Sequence, residues 1–271
     1  MYSNIQTAQL QQGYIHIGKN KVYFKKYGRG QRLLIALHGF AHDHKMFNIL
    51  EQGLQLHFTV YALDLPYHGR TKWKKGQYGK KDINTVVEYI LRQEGKQQCA
   101  VLGFSYGARI WMASLPYLRD KVAQMYLLAP DGLRTHWLGL AERTPGLFIS
   151  LFQQLSNKQG RLTGWADRLR KLHLINRFAH RFVHHHLSTL KYRKRLFQTW
   201  RSMRHFRVKK RKVKEIIKEE NIGLTVIVGK RDSIISLAAV KRMVRGLPQA
   251  QLFLLNKSHF LIDGSIAKLI K

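Results

Sequence analysis

The sequence predicts an α/β fold: a mainly parallel central sheet with helices on both faces, and an inserted all-helical lid. Three observations carry that prediction. Short apolar runs alternate with segments of helical spacing, the pattern of parallel strands joined by crossover helices. A serine between two glycines, Gly103-Phe104-Ser105-Tyr106-Gly107, stands between one such run and one such helix. From about Leu133 to Val213 the alternation stops, and the chain becomes helical in pattern and strongly basic.

The elements follow in order. Val22-Tyr23-Phe24 and Leu33–Leu37 read as strands, the second apolar throughout and therefore central. Phe58–Leu63 is the next. Asp82–Leu91 has helical spacing, with Asp82 as its N-cap. Gln98–Leu102 is the strand before the serine, and Ala108–Ala113 has the composition of a helix start. Val122–Leu128 is a strand. Thr144-Pro145 opens a helix through Phe152, because proline suits the first helical position. Phe178, Phe182, Leu187, Leu190, Phe197, Trp200 and Met203 then recur at near-helical spacing among Arg, Lys and His. Leu224–Val228 and Leu252–Leu255 are strands around a helix at Leu237–Val244, and Phe260–Ile270 reads as a last helix. This divides the chain into a core of residues 1–132 and 215–271 and an inserted basic cap of residues 133–214.

Composition narrows the class. Of 271 residues, 45% are hydrophobic, enough for a substantial core. The single cysteine, Cys99, excludes an intrachain disulfide and reads as a small buried hydrophobe. The first residues carry no basic and apolar leader, and no stretch approaches the ~20 apolar residues of a membrane span. A cytosolic protein, at most peripheral to a membrane, is expected. Lys and Arg number 48 against 15 Asp and Glu, a formal net charge of +33. Between Arg134 and Lys214 there are 21 basic residues and only Glu142 and Asp167 as acids. The excess is concentrated in the insertion but not confined to it.

A glycine-flanked serine at a strand-to-helix junction is a nucleophile elbow, a turn tight enough to force strained backbone angles on the serine. Around it stand Leu37-His38-Gly39-Phe40, Asp64-Leu65-Pro66-Tyr67-His68-Gly69, Gly229-Lys230-Arg231-Asp232 and Ser258-His259-Phe260, each following an apolar strand. This set resembles the α/β-hydrolase superfamily, in its lid-bearing single-domain branch, over about 190 residues on both sides of the insertion. The resemblance implies a Ser-His-Asp triad of Ser105, His259 and Asp232, in the superfamily's order Ser…Asp…His. It implies an oxyanion hole from the backbone N–H groups of Phe40 and Tyr106. Asp131 competes for the acid's place, since some relatives carry it after the earlier strand. Ser258 and Tyr67 stand where relatives often have glycine. His38 and Asp64 suit loop-shaping roles, although His38 and Arg109, with Leu147, Phe148 and Leu151, are also candidates to line a substrate pocket.

Substrate is less constrained, because this fold hosts many chemistries. An apolar helix at Leu147–Leu155 suits an acyl pocket, so an ester or thioester of a small-molecule or lipid-like apolar acyl group is expected. The basic amphipathic stretch from Arg177 to Lys214 suits an anionic membrane surface. Gly103–Arg109 is also similar to the elbow of the menaquinone-pathway lyases of the superfamily, which would imply C–C bond chemistry on an anionic substrate. A non-catalytic basic protein binding nucleic acid or membrane is a further alternative, resting on Lys209-Lys210-Arg211-Lys212 and the interleaved aromatics. His180 and His184-His185-His186 have metal-ligand spacing, but no Cys or carboxylate lies nearby in sequence to complete a set. No metal and no cofactor are expected. Oligomeric state is not legible.

Overall fold

A computed structural model describes residues 11–74, 77–133, 154, 161–175 and 177–271. Eight strands form one sheet: β1 (Gln11–Ile17), β2 (Asn20–Tyr27), β3 (Arg32–Leu37), β4 (Phe58–Leu63), β5 (Cys99–Phe104), β6 (Val122–Leu128), β7 (Gly223–Gly229) and β8 (Ala250–Leu255). Their order is β1-β2-β4-β3-β5-β6-β7-β8. β1–β2 and β2–β4 are antiparallel and every later pair is parallel. The mainly parallel sheet expected from the sequence is therefore present, with an antiparallel hairpin added at one edge. All six residues of β5 are buried, which is why that strand reads as a continuous apolar run.

The helices of this part are α1 (Glu51–Leu54), α2 (Lys80–Gln93) and α3 (Tyr106–Ser114), then α7 (Lys210–Glu219) and α8 (Leu237–Val244). α2 buries Ile83, Val86, Val87, Ile90 and Leu91 along one stripe. Asp82 is not its N-cap. The helix starts at Lys80 behind Gly79, and Asp82 reaches back from the first turn to accept the Gly79 N–H at 2.8 Å. The expected last helix is also shorter, a 3₁₀ segment at Gly264–Leu269. Asp263 delays its start by accepting the Ser265 N–H at 3.0 Å.

The chain divides into two compact units, Met1–Gly139 with His205–Lys271 and Leu140–Arg204. The second unit is thus narrower than the insertion read from the sequence. Residues 205–214 belong to the first unit, because α7 begins at Lys210 and buries Val213, Ile216 and Ile217. Lys210, Arg211 and Lys212 sit on that core helix.

Within the second unit, α4 (Arg161–Lys171), α5 (Arg177–Leu187) and α6 (Leu190–Met203) follow one another, with α4 packed on α5 and α5 on α6. Thr189 caps α6 by accepting the Tyr192 N–H at 3.2 Å. Asp167 on α4 meets His180 and His184 on α5, its Oδ1 lying 2.7 and 2.8 Å from their Nε2 atoms. No carboxylate nearby in sequence was expected to complete a set with these histidines, and the fold brings a more distant one to them. The helix pairing supplies one from 13 residues upstream, a distance at which sequence spacing carries no signal.

Candidate active site

β5 ends at Phe104 and α3 begins at Tyr106, so Ser105 alone turns the chain from strand to helix. It does so at φ 49°, ψ −105°, a region that costs a non-glycine residue roughly 1–3 kcal/mol. Its backbone is fixed on both sides. The Ser105 N–H donates to the Leu128 carbonyl at 2.8 Å, and its own carbonyl accepts from the N–H groups of Arg109 and Asp131 at 3.1 and 3.2 Å. The flanking glycines are dictated by close approach. A Cβ on Gly107 would stand 2.1 Å from the Leu37 carbonyl oxygen, and one on Gly103 would stand 2.5 Å from the Ala108 nitrogen.

Above the elbow the structure brings Ser105, His259 and Asp232 together. His259 Nε2 lies 3.1 Å from Ser105 Oγ, and its Nδ1 lies 2.8 Å from Asp232 Oδ2. A carboxylate oxygen can only accept, so Nδ1 carries the proton and Nε2 is free to accept from the serine hydroxyl. The other carboxylate oxygen of Asp232 accepts the Ile234 and Ile235 N–H groups at 2.8 and 2.9 Å. Burial by itself would raise the Asp232 carboxyl. The hydrogen bond and charge of His259, with those two N–H groups, outweigh it and hold the carboxyl below the usual range.

Phe40 lies in the turn after β3, where Ala41 adopts φ 65°. Tyr106 is the first residue of α3, so its N–H is one of the helix's initial donors that have no acceptor inside the helix. The Tyr106 hydroxyl is buried 2.7 Å from that of Tyr78, a partner the sequence did not suggest. An aromatic wall also escaped the sequence reading. Phe104 packs against His259 and Phe260 at ring separations of 5.4 and 5.8 Å, and His42 packs on Phe260 at 5.3 Å. Phe260 is 55% exposed, an apolar ring left at the surface beside the catalytic candidates. The pairing of large apolar residues with the His259 loop was the available signal.

Two of the pocket candidates are fully buried. Arg109 is fully buried, with Nη2 donating to Asp131 Oδ1 at 3.0 Å and Nε 2.8 Å from Asp131 Oδ2. Arg109 and the competing acid Asp131 are thus paired with each other, and Asp131 Oδ1 also accepts the Gly132 N–H at 2.7 Å. His38 is fully buried too. Its Nε2 accepts the Leu65 N–H at 3.0 Å while Nδ1 donates to the Gly39 carbonyl at 2.7 Å. Burial pushes it down to about 4, against the Gly39 carbonyl and the Asp64 and Asp43 charges, so it is a neutral loop brace. Tyr67 keeps the turn that relatives form with glycine, at φ 68°. Leu147, Phe148 and Leu151 lie outside the described residues.

The model of the family described as alpha/beta hydrolase fold matches residues 32–263. Pimeloyl-[acyl-carrier protein] methyl ester esterase of Citrobacter koseri is 24% identical over 140 residues, 51% of this chain and 52% of that protein. The chain therefore spans about half the length of that curated relative. Among solved structures, a thermophilic esterase from Thermogutta terrifontis superposes with a TM-score of 0.68 at 16% identity, covering 97% of each chain. The enol-lactonase from Burkholderia xenovorans LB400 gives 0.67 at 15% identity, over 95% of this chain and 98% of that one. Both likenesses concern the fold.

Proposed function

This chain belongs to the α/β-hydrolase fold family, and from that premise we propose that it is a serine hydrolase cleaving an ester or thioester of an apolar acyl group. The observation that carries the reading is the hydrogen-bonded line from Ser105 Oγ through both nitrogens of His259 to the Asp232 carboxylate, whose side chain is 1% exposed.

Serine is a weak nucleophile at its own pKa and needs a base within hydrogen-bond reach. As Ser105 Oγ bonds to the substrate carbonyl carbon, His259 Nε2 takes the hydroxyl proton. The carbonyl electron pair moves onto its oxygen, which the Phe40 and Tyr106 N–H groups would receive, at ~3 kcal/mol per donor. The tetrahedral adduct collapses, the ester C–O or thioester C–S bond breaks, and His259 returns the proton to the leaving alcohol or thiol. Water then repeats the sequence on the acyl-Ser105 ester and releases the acid. Asp232 holds the ring tautomer and stabilises the imidazolium throughout. The apolar rings of Phe104 and Phe260 beside His259 support an apolar acyl group, as does the name of the curated relative, an esterase of a carrier-bound acyl methyl ester.

The test is hydrolysis of p-nitrophenyl esters of increasing acyl length. Ser105→Ala is expected to cost kcat on the order of 10⁶-fold, and the wild type to favour longer chains over acetate. Unchanged activity in Ser105→Ala would remove the mechanism, and a flat chain-length profile would remove the acyl preference.

A further inference from the structure

The cluster on the helical unit has no part in that chemistry. Asp167 Oδ1 lies 2.7 Å from His180 Nε2 and 2.8 Å from His184 Nε2, and the two rings stand 4.5 Å apart. One donor atom from each of the three residues lies within 4.8 Å of the others. We infer that Asp167, His180 and His184 form a binding site for one zinc ion that clamps α4 to α5.

The geometry follows from the helices. Histidines at i and i+4 project one above the other on the same face of α5, and α4 places Asp167 opposite both. Zinc holds nitrogen and oxygen ligands at 2.0–2.2 Å, so ligand atoms around a tetrahedral ion lie about 3.3 Å from each other. Admitting the ion requires the two contacts of Asp167 with the imidazoles to open by about half an ångström, with all three ligand atoms already within 4.8 Å of one another. Side-chain exposures of 49%, 28% and 39% for Asp167, His180 and His184 leave room for water to complete the fourth position.

The donor set and its surroundings select the ion. Calcium and magnesium need about six or more oxygen ligands, which a single carboxylate cannot supply. Two imidazoles and one carboxylate are borderline donors suited to zinc. Asp167 is the sole acid between residues 143 and 214, a stretch crowded with Lys and Arg. Arg168, Arg170 and Arg181 flank the cluster in sequence and repel any cation, so a site held by charge alone would fail there. Bonds from neutral imidazole nitrogen do not depend on that charge. Among the described residues the carboxylate meets two imidazoles. Once bound, the ion stabilises the folded helix pair by mass action.

The experiment uses the full chain, prepared without a histidine tag and stripped with chelator, titrated calorimetrically with zinc alone. One zinc per chain is expected. Asp167→Asn and His180→Asn should each weaken binding at least tenfold, while His185→Asn, exposed on the same helix, should leave it unchanged. Cobalt should give intense tetrahedral visible bands in the wild type that the first two variants lose. Equal zinc affinity in all four proteins would overturn the site as adventitious binding to surface histidines, and so would the absence of a one-to-one event in the wild type. If a variant does not fold, the wild type decides: zinc must raise its Tm, and an unmoved Tm overturns the clamp.

Discussion

The two units each bring imidazole to a carboxylate, with opposite surroundings. In the core, the Asp232 side chain is 1% exposed, one oxygen is taken by His259 and the other by two backbone N–H groups. In the helical unit, Asp167 is half exposed and a single oxygen meets two imidazoles. A buried carboxylate saturated on one side fixes the tautomer and direction of one ring, which suits proton transfer to and from Ser105. An exposed carboxylate facing two rings leaves three donor atoms aimed at one point, which suits an ion. Residue type is shared, so burial and the number of converging partners decide the chemistry.

Asp232→Asn breaks the comparison on the core side. A neutral amide would support the wrong His259 tautomer, so kcat should fall on the order of 10⁴-fold, while zinc titration stays as in the wild type. Steady-state ester kinetics and calorimetry on the same preparation check both halves.

A third carboxylate, Asp131, extends the contrast to a fully buried ion pair with Arg109. Arg109→Met leaves Asp131 buried beside the elbow without its cation, and should destabilise the fold by roughly 3–5 kcal/mol in urea unfolding. Arg109→Met with Asp131→Leu should recover most of that loss, because both desolvation costs disappear together. A double variant as unstable as the single one would show that the pair contributes attraction beyond its own compensation.

The smallest effect concerns His38, a core histidine with no carboxylate in hydrogen-bond contact. Its folded pKa lies near 4, below the ordinary 6.5, so between these values the unfolded chain binds the extra proton. Stability is therefore fully present above pH 6.5 and falls as pH drops toward 4, by about 3 kcal/mol from this group. Urea unfolding from pH 7 to pH 4 should show that slope, and His38→Gln should flatten it. An identical slope in the variant would place the proton uptake elsewhere.

Much of the core was legible because its signals are local. β3 to β7 read directly as apolar runs, since a strand covered on both faces needs an apolar residue at nearly every position. The elbow was legible because a one-residue turn between strand and helix admits only glycine two residues before and two residues after Ser105. β1 was missed: Tyr14 and His16 alternate with Ile15 and Ile17 on an edge strand, where half the positions face outward and the apolar run is broken. The insertion was read up to residue 214 because helical pattern and basic charge run on without a strand, yet α7 carries its lysines and arginines outside and its Val213, Ile216 and Ile217 inside.

By itself, the sequence determined the parallel α/β sheet, the strained serine after β5, and the order in which the candidate serine, acid and histidine follow β5, β7 and β8. Those features rest on residues adjacent in the chain, where sterics and hydrophobic period act without help from the rest of the molecule. Only the tertiary structure decided the other partnerships: Asp131 with Arg109, His38 with the Leu65 N–H, and Asp167 with two histidines of the next helix. Each joins groups far apart in sequence, and a buried or converging charge is stabilised by whichever partner packing brings within about 3 Å. That choice belongs to the packed elements, and the spacing of residues along the chain does not encode it.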